Sequence, residues 1–268
     1  MEDSGILAQT VLTLRAAGCV FAEEEAALLV SQADSAQELS AMVARRCAGH
    51  PLEHVLGWAE FCGLRVLVDP GVFVPRRRSE FLVSVAAELC RPGARVMDLC
   101  CGTGALGLAL SHRVAGVDLY AADLDPAAVA CAQRNLGLAP VYGGDLFGEV
   151  PAGLRFDLVL ANVPYVPTSE VEFMPAEARL HEARMALDGG AEGVDLQRRA
   201  TGESLARLRP GGCLLVETSE RQEPLTVRAF EEAGLEVSVH RDEELDATVV
   251  VGARGGAVAS VRQGQFLG

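Results

Sequence analysis

A short turn of the chain, Asn162-Val163-Pro164-Tyr165, directly follows an apolar run that ends at Ala161. The asparagine side-chain oxygen and the backbone carbonyl of residue 163 form two acceptors, which suit the two N–H groups of a planar nitrogen such as a side-chain amide. Proline stiffens the turn, and the tyrosine ring offers a flat wall to a planar group. These residues, the Asn162 turn, therefore predict a site that positions a planar nitrogen for an in-line displacement, which depends mainly on orientation and desolvation.

A second group of candidate residues surrounds a glycine-rich turn, residues 100–104, which we call the glycine turn. Its members with the preceding acid are Asp98, Cys100, Cys101, Gly102, Thr103 and Gly104. Glycines let the backbone approach a ligand closely, and the helix that follows offers free N–H groups. The turn predicts a bound cofactor, but NAD-binding proteins, flavoproteins and methyltransferases all use such a turn.

Acidic residues end the next two predicted strands. Asp123 lies about 20 residues after the glycines, where a carboxylate can accept from both hydroxyls of an adenosine ribose. The alternative for Asp123 is a helix cap, because Pro126 follows. Asp145 can accept from the exocyclic amine of adenine and Leu146 can pack against the ring, although a plain turn would explain them equally well. In order along the chain, these residues predict an adenosine-containing cofactor, either NAD or S-adenosylmethionine.

The elements that must position these residues alternate between apolar strands and amphipathic helices. Strands are predicted over residues 95–99, 117–122, 158–161, 212–217, 235–240 and 247–251. Helices are predicted over residues 79–89, 105–111, 126–136, 193–208 and 224–233. This alternation predicts an α/β fold with a mostly parallel sheet and helices on both faces, in which ligands lie at the carboxyl ends of the strands.

The first part of the chain shows the apolar spacing of helices. They are predicted over residues 6–16, 23–32, 35–49 and 51–57. Ser35 and Glu38 form a capping box for the third. We expect a helical substrate-recognition domain over residues 1–58.

In residues 61–74 the apolar residues change to the every-second-residue spacing of strands. The turn-forming residues Asp69-Pro70-Gly71 separate two short stretches of this kind. This pattern predicts a β-hairpin whose turn lies at residues 69–71. A hairpin is a natural junction between domains. We therefore expect a linker over residues 59–78 and a catalytic domain over residues 79–268.

The net charge of −14 opposes binding to nucleic acid or to an anionic membrane. The run Arg76-Arg77-Arg78 either steers a partner or forms a solvated rim. The eight cysteines lack zinc spacing, and His50 and His54 suit capping or packing, so no metal is expected. Without a transmembrane run or a signal peptide, the chain is expected to be a cytoplasmic monomer.

The order of these motifs resembles the HemK/PrmC family of protein-(glutamine-N5) methyltransferases, over about residues 49–252. Further matching segments are residues 49–57, Val74-Pro75-Arg76 with Ser79-Glu80, residues 186–190, and Val216-Glu217-Thr218. Two positions depart from the family pattern. Val163 replaces the first proline of Asn-Pro-Pro-Tyr, and Cys100 replaces a glycine. These departures indicate a divergent branch.

The resemblance implies a class I, Rossmann-like methyltransferase domain joined by the β-hairpin to a small N-terminal helical domain. It implies S-adenosylmethionine as the cofactor, bound by the glycine turn, Asp98, Asp123, Asp145, Leu146 and Asn162. The methyl acceptor would be the side-chain amide N5 of the glutamine in the Gly-Gly-Gln motif of a peptide-chain release factor. Catalysis would fall to Asn162, Pro164 and Tyr165, with Val163, Pro75 and Arg76 also binding the substrate.

Three alternatives remain open. The same chemistry could act on a different protein or on a small metabolite. An adenine-N6 methyltransferase of nucleic acids solves the same geometric problem, but the acidic charge and the lack of a basic binding domain oppose it. A non-enzymatic binding module is disfavoured because Asp123, Asn162 and Tyr165 occur together.

Overall fold

The computed structural model describes residues 2–255, and it describes side chains from residue 4 onward. The helices are α1 Glu2–Ala16, α2 Ala22–Gln32, α3 Ala36–Cys47, α4 Leu52–Leu56, α5 Glu80–Leu89, α6 Ala105–Arg113, α7 Pro126–Leu136, α8 Ala176–His181, α9 Asp195–Arg207 and α10 Glu223–Glu232. The strands are β1 Trp58–Phe61, β2 Leu64–Leu67, β3 Arg95–Leu99, β4 Asp118–Asp123, β5 Val141–Gly143, β6 Phe156–Ala161, β7 Leu208–Thr218, β8 Glu236–Asp242 and β9 Ala247–Ala253. Residues 256–268 of the predicted catalytic domain lie outside the described residues.

The central sheet has seven strands in the order β5-β4-β3-β6-β7-β9-β8. Strands β3 to β7 run parallel, and β9 is antiparallel to both β7 and β8. The chain order reverses at β3, whose last residue, Leu99, is in register with Ala122 on one side and Ala161 on the other. The carboxyl ends of these three strands therefore meet at the switch point where such sheets bind ligands.

Alternate residues of the central strands enter two different apolar cores. Leu158 and Leu160 pack with Leu82 of α5 in one core, whereas Val159 and Ala161 pack with Phe230 of α10 in the other. Because helices cover both faces, these strands are mainly apolar on both sides, as expected for buried parallel strands. The two-sided packing fixes β3 and β6, and hence the turns that leave them.

The first four helices have a small core of their own, formed mainly by Leu14, Leu29, Met42 and Val55. The predicted cap at Ser35 is confirmed, because its side chain accepts from the Glu38 backbone N–H. Within the described residues, we find no helix that is both long and apolar enough to cross a membrane. The division at residues 58 and 78 stays a prediction.

Arg46 of α3 joins the N-terminal helices to the rest of the chain. Its buried guanidinium binds both carboxylate oxygens of Glu25, at 2.6 and 3.0 Å, and one oxygen of Glu177 on α8, at 2.6 Å. Two acids therefore compensate a cation that would be costly to bury alone. The Nε2 atom of His54 lies 2.8 Å from the Val72 carbonyl oxygen, so this histidine packs and bonds rather than facing open solvent.

The hairpin predicted around Asp69-Pro70-Gly71 is wrong in its position. The paired strands are β1 and β2, and their two-residue turn is Cys62-Gly63, with φ values of 52° and 73°. Two successive positive φ angles are typical of two-residue hairpin turns, but cysteine is not a residue type that predicts such a turn. Residues 71–74 instead bond across to Glu182 and Ala183, so the second predicted strand pairs elsewhere.

Candidate active site

A cavity of about 440 Å³ opens at the carboxyl ends of β3, β4 and β6. Most of the predicted site residues line it: Pro75, Arg76, Cys100, Cys101, Gly102, Thr103, Asp123, Asp145, Leu146, Asn162, Val163, Pro164 and Tyr165. Asp98 and Gly104 are predicted to contact the cofactor, and both lie outside the cavity lining. The fold thus brings the glycine turn and the Asn162 turn to one space.

Asp123 forms the part of the wall nearest to the glycine turn. Its Oδ2 accepts from the Gly102 N–H at 2.8 Å and its Oδ1 accepts from the Asp125 N–H at 2.9 Å. The cap of α7 is Asp125, whose side chain accepts from Ala127 at 2.9 Å. Burial raises the pKa of Asp123, and the two N–H groups act against that rise. Each carboxylate oxygen retains capacity for a further donor.

The glycine turn needs left-handed backbone at several positions. Gly102 and Gly104 have φ values of 54° and 76°, and Cys100 adopts 56° without being a glycine. Such a conformation costs an ordinary residue roughly 1 kcal/mol. Burial raises the pKa of both the Cys100 and the Cys101 thiols, which fits packing residues rather than nucleophiles.

Asp98 braces the glycine turn from behind. It is fully buried, and its Oδ2 accepts from the Gly107 N–H of α6 at 2.9 Å. Burial raises its pKa to about 7. Gly104 also packs away from the cavity, since an added Cβ would lie 3.0 Å from Leu136. Both residues hold α6 against the strand rather than touching the cavity.

Asp145 lies at the outer rim of the cavity. Its carboxylate pairs with Arg199 of α9 at 2.6 Å, and about half of each side chain is exposed. Leu146 is buried, with a φ of 49°. Both Asp145 and Arg199 line the cavity, so a ligand that reaches the rim would meet a paired rather than a free carboxylate.

Ser79 orients the amide of Asn162 at the opposite wall. The Nδ2 group donates to the Ser79 hydroxyl at 3.2 Å, and Ser79 is itself buried just before α5. Since the nitrogen is held there, the Oδ1 atom remains an acceptor. The predicted acceptor oxygen is therefore fixed by a residue 83 positions earlier in the chain.

Tyr165 is held at three points. Its hydroxyl donates to Glu217 Oε1 at 3.2 Å, and its carbonyl accepts from Gln222 Nε2 at 2.6 Å. The guanidinium of Arg78 lies 5.5 Å from the centre of its ring. Burial, with the charge of Glu217 next, raises the tyrosine pKa. The ring is therefore a fixed, neutral wall.

Residues 187–190 pack directly against the Asn162 turn. The Val166 N–H bonds the Leu187 carbonyl at 3.2 Å, and the Gly189 N–H bonds the Val166 carbonyl at 2.8 Å. A Cβ on Gly189 would lie 2.7 Å from the Pro164 carbonyl oxygen. Only glycine allows this approach without a shift of the turn.

The arginine run is largely paired. Arg76 donates to both carboxylate oxygens of the buried Glu182 at 2.7 Å, and Arg78 donates to Glu217 at 3.1 Å. Burial raises the pKa of Glu182, and Arg76 opposes the rise. Two of the three arginines thus hold buried acids beside the cavity, in contrast to both sequence interpretations of the run.

Sequence reasoning did not assign roles to several residues that hold the Asn162 turn. They are Arg78, Ser79, Glu217 and Gln222. A signal existed for two of them, because Ser79-Glu80 and Val216-Glu217-Thr218 belong to the segments that match the family. Nothing in the local sequence of Gln222 distinguishes it from a surface residue.

The methyltransferase small domain family matches residues 63–202. The release factor glutamine methyltransferase of Geobacter sulfurreducens is 36% identical over 205 residues, which is 74% of this chain and 72% of that protein. Its counterpart from Gloeobacter violaceus is 38% identical over 201 residues, 72% of this chain and 70% of that protein.

Solved structures show the same fold at lower identity. A methyltransferase from Pyrococcus furiosus superposes with a TM-score of 0.54 at 16% identity, covering 72% of this chain and 90% of that one. The T. thermophilus 16S rRNA N2 G1207 methyltransferase gives 0.54 at 21% identity, covering 74% of this chain and 49% of that one. The class I methyltransferase fold is confirmed, and from its sequence relatives the chain belongs to the release factor glutamine methyltransferase family.

Proposed function

We propose that this protein transfers a methyl group from S-adenosylmethionine to the side-chain amide nitrogen, N5, of a glutamine in a peptide-chain release factor, within its Gly-Gly-Gln motif. The observation that carries the proposal is the amide of Asn162. Ser79 binds its nitrogen at 3.2 Å, which leaves the oxygen as an acceptor in the cavity that also contains Asp123. The names of the sequence relatives support the same reaction.

The residues of the glycine turn fit the cofactor. Asp123 would accept from the ribose hydroxyls, because each of its oxygens has only one protein donor. An added Cβ on Gly102 would meet no atom within 4 Å, so its backbone borders open space. Asp145 and Leu146 would border the adenine. When bound, S-adenosylmethionine supplies an electrophilic methyl group on a sulfonium.

The Asn162 turn would bind the glutamine amide. An amide nitrogen is a weak nucleophile because its lone pair is delocalised, so positioning is the main contribution that the protein can make. Asn162 Oδ1 and the carbonyl of residue 163 would accept the two N–H groups and so fix the plane of the amide. As the methyl group takes its place, one of these protons leaves the nitrogen for water, so the product amide is neutral.

Apolar side chains form part of the walls around the Asn162 turn. Phe61, Val72 and Leu106 line the same cavity as the Tyr165 ring. A low-polarity site strengthens the hydrogen bonds from the asparagine oxygen and the backbone carbonyl. The flat ring would pack against the amide plane, and Gly189 keeps the turn in place from behind.

The partner would be a protein, met by a single copy of this chain in the cytoplasm. The net charge of −14 opposes a nucleic acid substrate. Release factors that lack the methyl group are therefore the substrate to test first.

The test uses tritiated S-adenosylmethionine and an unmethylated bacterial release factor. We expect label on the Gly-Gly-Gln glutamine, located by mass spectrometry of the peptide, and loss of label with Asn162→Ala. A release factor whose glutamine is replaced by alanine serves as the matched control. No label on the factor, with cofactor binding intact by calorimetry, would overturn the release factor as substrate and direct the search to other amides and small metabolites.

A further inference from the structure

Glu217 stands one residue from the end of β7, beside the Asn162 turn. Its neighbour Val216 is in register with Ala161, the last residue of β6. The side chain is almost fully buried, and Oε1 accepts from both the Tyr165 hydroxyl, at 3.2 Å, and Arg78 Nε, at 3.1 Å. Glu217 is not among the residues that line the cavity. It therefore touches the two residues that form part of the wall without meeting the substrate itself.

The contact with Glu217 decides what the Tyr165 hydroxyl can do. A phenol has one proton to donate, and here that proton points to the carboxylate. The phenolic oxygen then offers only lone pairs to any other partner. Since burial and the glutamate charge raise the tyrosine pKa, the proton stays on the oxygen at neutral pH.

We propose that Glu217 is a positioning residue of the methyl-acceptor site, which holds the Tyr165 ring and the Arg78 guanidinium in place at the wall that packs against the substrate amide. This inference rests on the proposed function. In-line transfer tolerates little displacement of the amide plane, so a wall that is held in place contributes more to the transition state than to binding of the substrate. Loss of Glu217 should therefore lower kcat more than it raises KM.

The carboxylate also joins two segments that are far apart in the chain. Arg78 lies 139 positions before Glu217, and Tyr165 lies 52 positions before it. Both residues line the cavity, and the guanidinium also contacts the ring. Because one oxygen accepts from both donors, a displacement of either donor would shift the carboxylate and therefore the other donor. The second oxygen, Oε2, is buried and has no hydrogen-bond partner in the described part of the chain, so the pair of donors is the evident reason for this acid.

The first experiment compares Glu217→Met, which removes the acceptor, with Glu217→Gln, whose side-chain oxygen can still accept. We expect kcat to fall about 10- to 100-fold in the Met variant and less than about 3-fold in the Gln variant, with cofactor affinity unchanged within about 3-fold in both. In a Tyr165→Phe background, Glu217→Met should reduce kcat by less than about 3-fold, because the residues act as a unit. Equal losses in the two backgrounds, or a loss confined to cofactor affinity, would overturn the proposal.

A second measurement does not depend on methyl transfer or on the stability of the Met variant. The chain has three tyrosines, so ¹³Cζ labelling with a Tyr165→Phe assignment can follow the Cζ chemical shift of Tyr165 alone at neutral pH. This shift should move in Glu217→Gln, because the hydroxyl loses its charged acceptor. An unchanged shift would refute the contact even if the enzyme were inactive on release factors. Glu170→Met, which removes an acid paired with Arg221 at 2.7 Å, is the control and should leave both kcat and the Tyr165 Cζ shift unchanged.

Discussion

The two walls of the cavity are held together by different kinds of contact. The glycine turn is held through its backbone by a residue that is near in sequence: Asp123 accepts from the Gly102 N–H, 21 positions away. In the Asn162 turn, the contacts are long in sequence and involve side chains: Ser79 and Glu217 are 83 and 52 positions away from their partners. One wall is a local motif, whereas the other is assembled by the fold. Substitutions in the two walls should therefore fail in different ways.

The largest effect is expected at the Asn162 turn. Asn162→Ala removes an acceptor that is oriented before the substrate arrives, and kcat should fall about 100- to 1000-fold. Cofactor affinity should stay within about 3-fold, because the cofactor would be held by the other wall. Initial rates at saturating cofactor and calorimetric titration separate the two quantities. Gln133→Ala, at an exposed helix end, is the control, and a loss that fell mainly on cofactor binding would break the distinction between the walls.

A smaller effect of the opposite kind is expected at Asp123. Asp123→Asn removes the charge and one acceptor for the ribose, so the cofactor Kd should rise about 10- to 100-fold. At saturating cofactor, kcat should change less than about 5-fold. Asp118 lies at the other end of the same strand and pairs with Arg95, so Asp118→Asn should leave the Kd unaltered. If Asp123→Asn lowered kcat and left the cofactor Kd unchanged, Asp123 would act on the methyl acceptor rather than on the cofactor.

Substitutions at two glycines test the comparison through the free energy of unfolding. Gly189→Ala places a Cβ 2.7 Å from the Pro164 carbonyl oxygen and should lower the free energy of unfolding by about 1–3 kcal/mol, with a parallel loss of kcat. Gly202→Ala lies within α9 with no atom within 4 Å of the new carbon, and it should stabilise the protein by about 0.5–1 kcal/mol. Urea denaturation measures both. Equal stability of the two variants would show that the Asn162 turn tolerates displacement.

The smallest effect is expected at Cys100. Its φ of 56° suits glycine, so Cys100→Gly relieves backbone strain in the folded state. The same substitution raises the conformational entropy of the unfolded state, which opposes that gain. The free energy of unfolding should change by less than about 1 kcal/mol, and cofactor affinity should persist. Cys101→Gly, at a buried position without a left-handed backbone, should cost about 1–3 kcal/mol. A larger loss at Cys100 than at Cys101 would show that the thiol contributes contacts of its own.

The sequence predicts the parts of the fold that depend on local pattern. Buried parallel strands such as β3 and β6 are short, mainly apolar runs between helices. The capping box at Ser35 predicts the start of α3. The predicted position of the hairpin is wrong because Cys62 adopts a conformation that its residue type does not signal. The sequence does not predict the short helix α8, because contacts such as that between Glu177 and Arg46 hold it rather than a periodic apolar face.

The candidate site divides in the same way. Motif spacing brings Asp123 and Asn162 to one cavity, because the ends of adjacent parallel strands must coincide. Spacing does not reveal the direction of a side chain: it predicts Asp98 as a cofactor residue, and the structure directs its Oδ2 atom to the Gly107 N–H of α6. Glu217 and Gln222 act through Tyr165, and no pattern within a short window links them to it.

The ion pairs of Arg46 link the N-terminal helices to the segment that follows the Asn162 turn. Arg46 binds Glu25 and also Glu177 on α8, which lies in the segment between the Asn162 turn and Gly189. Local opening of α3 would remove the cation from an acid on that segment, so the two opening equilibria are linked. A ligand that binds and stabilises the N-terminal helices must, by the reciprocity of linkage, favour the native position of α8 as well. The N-terminal helices and α8 are therefore energetically linked through this one cation rather than independent of each other.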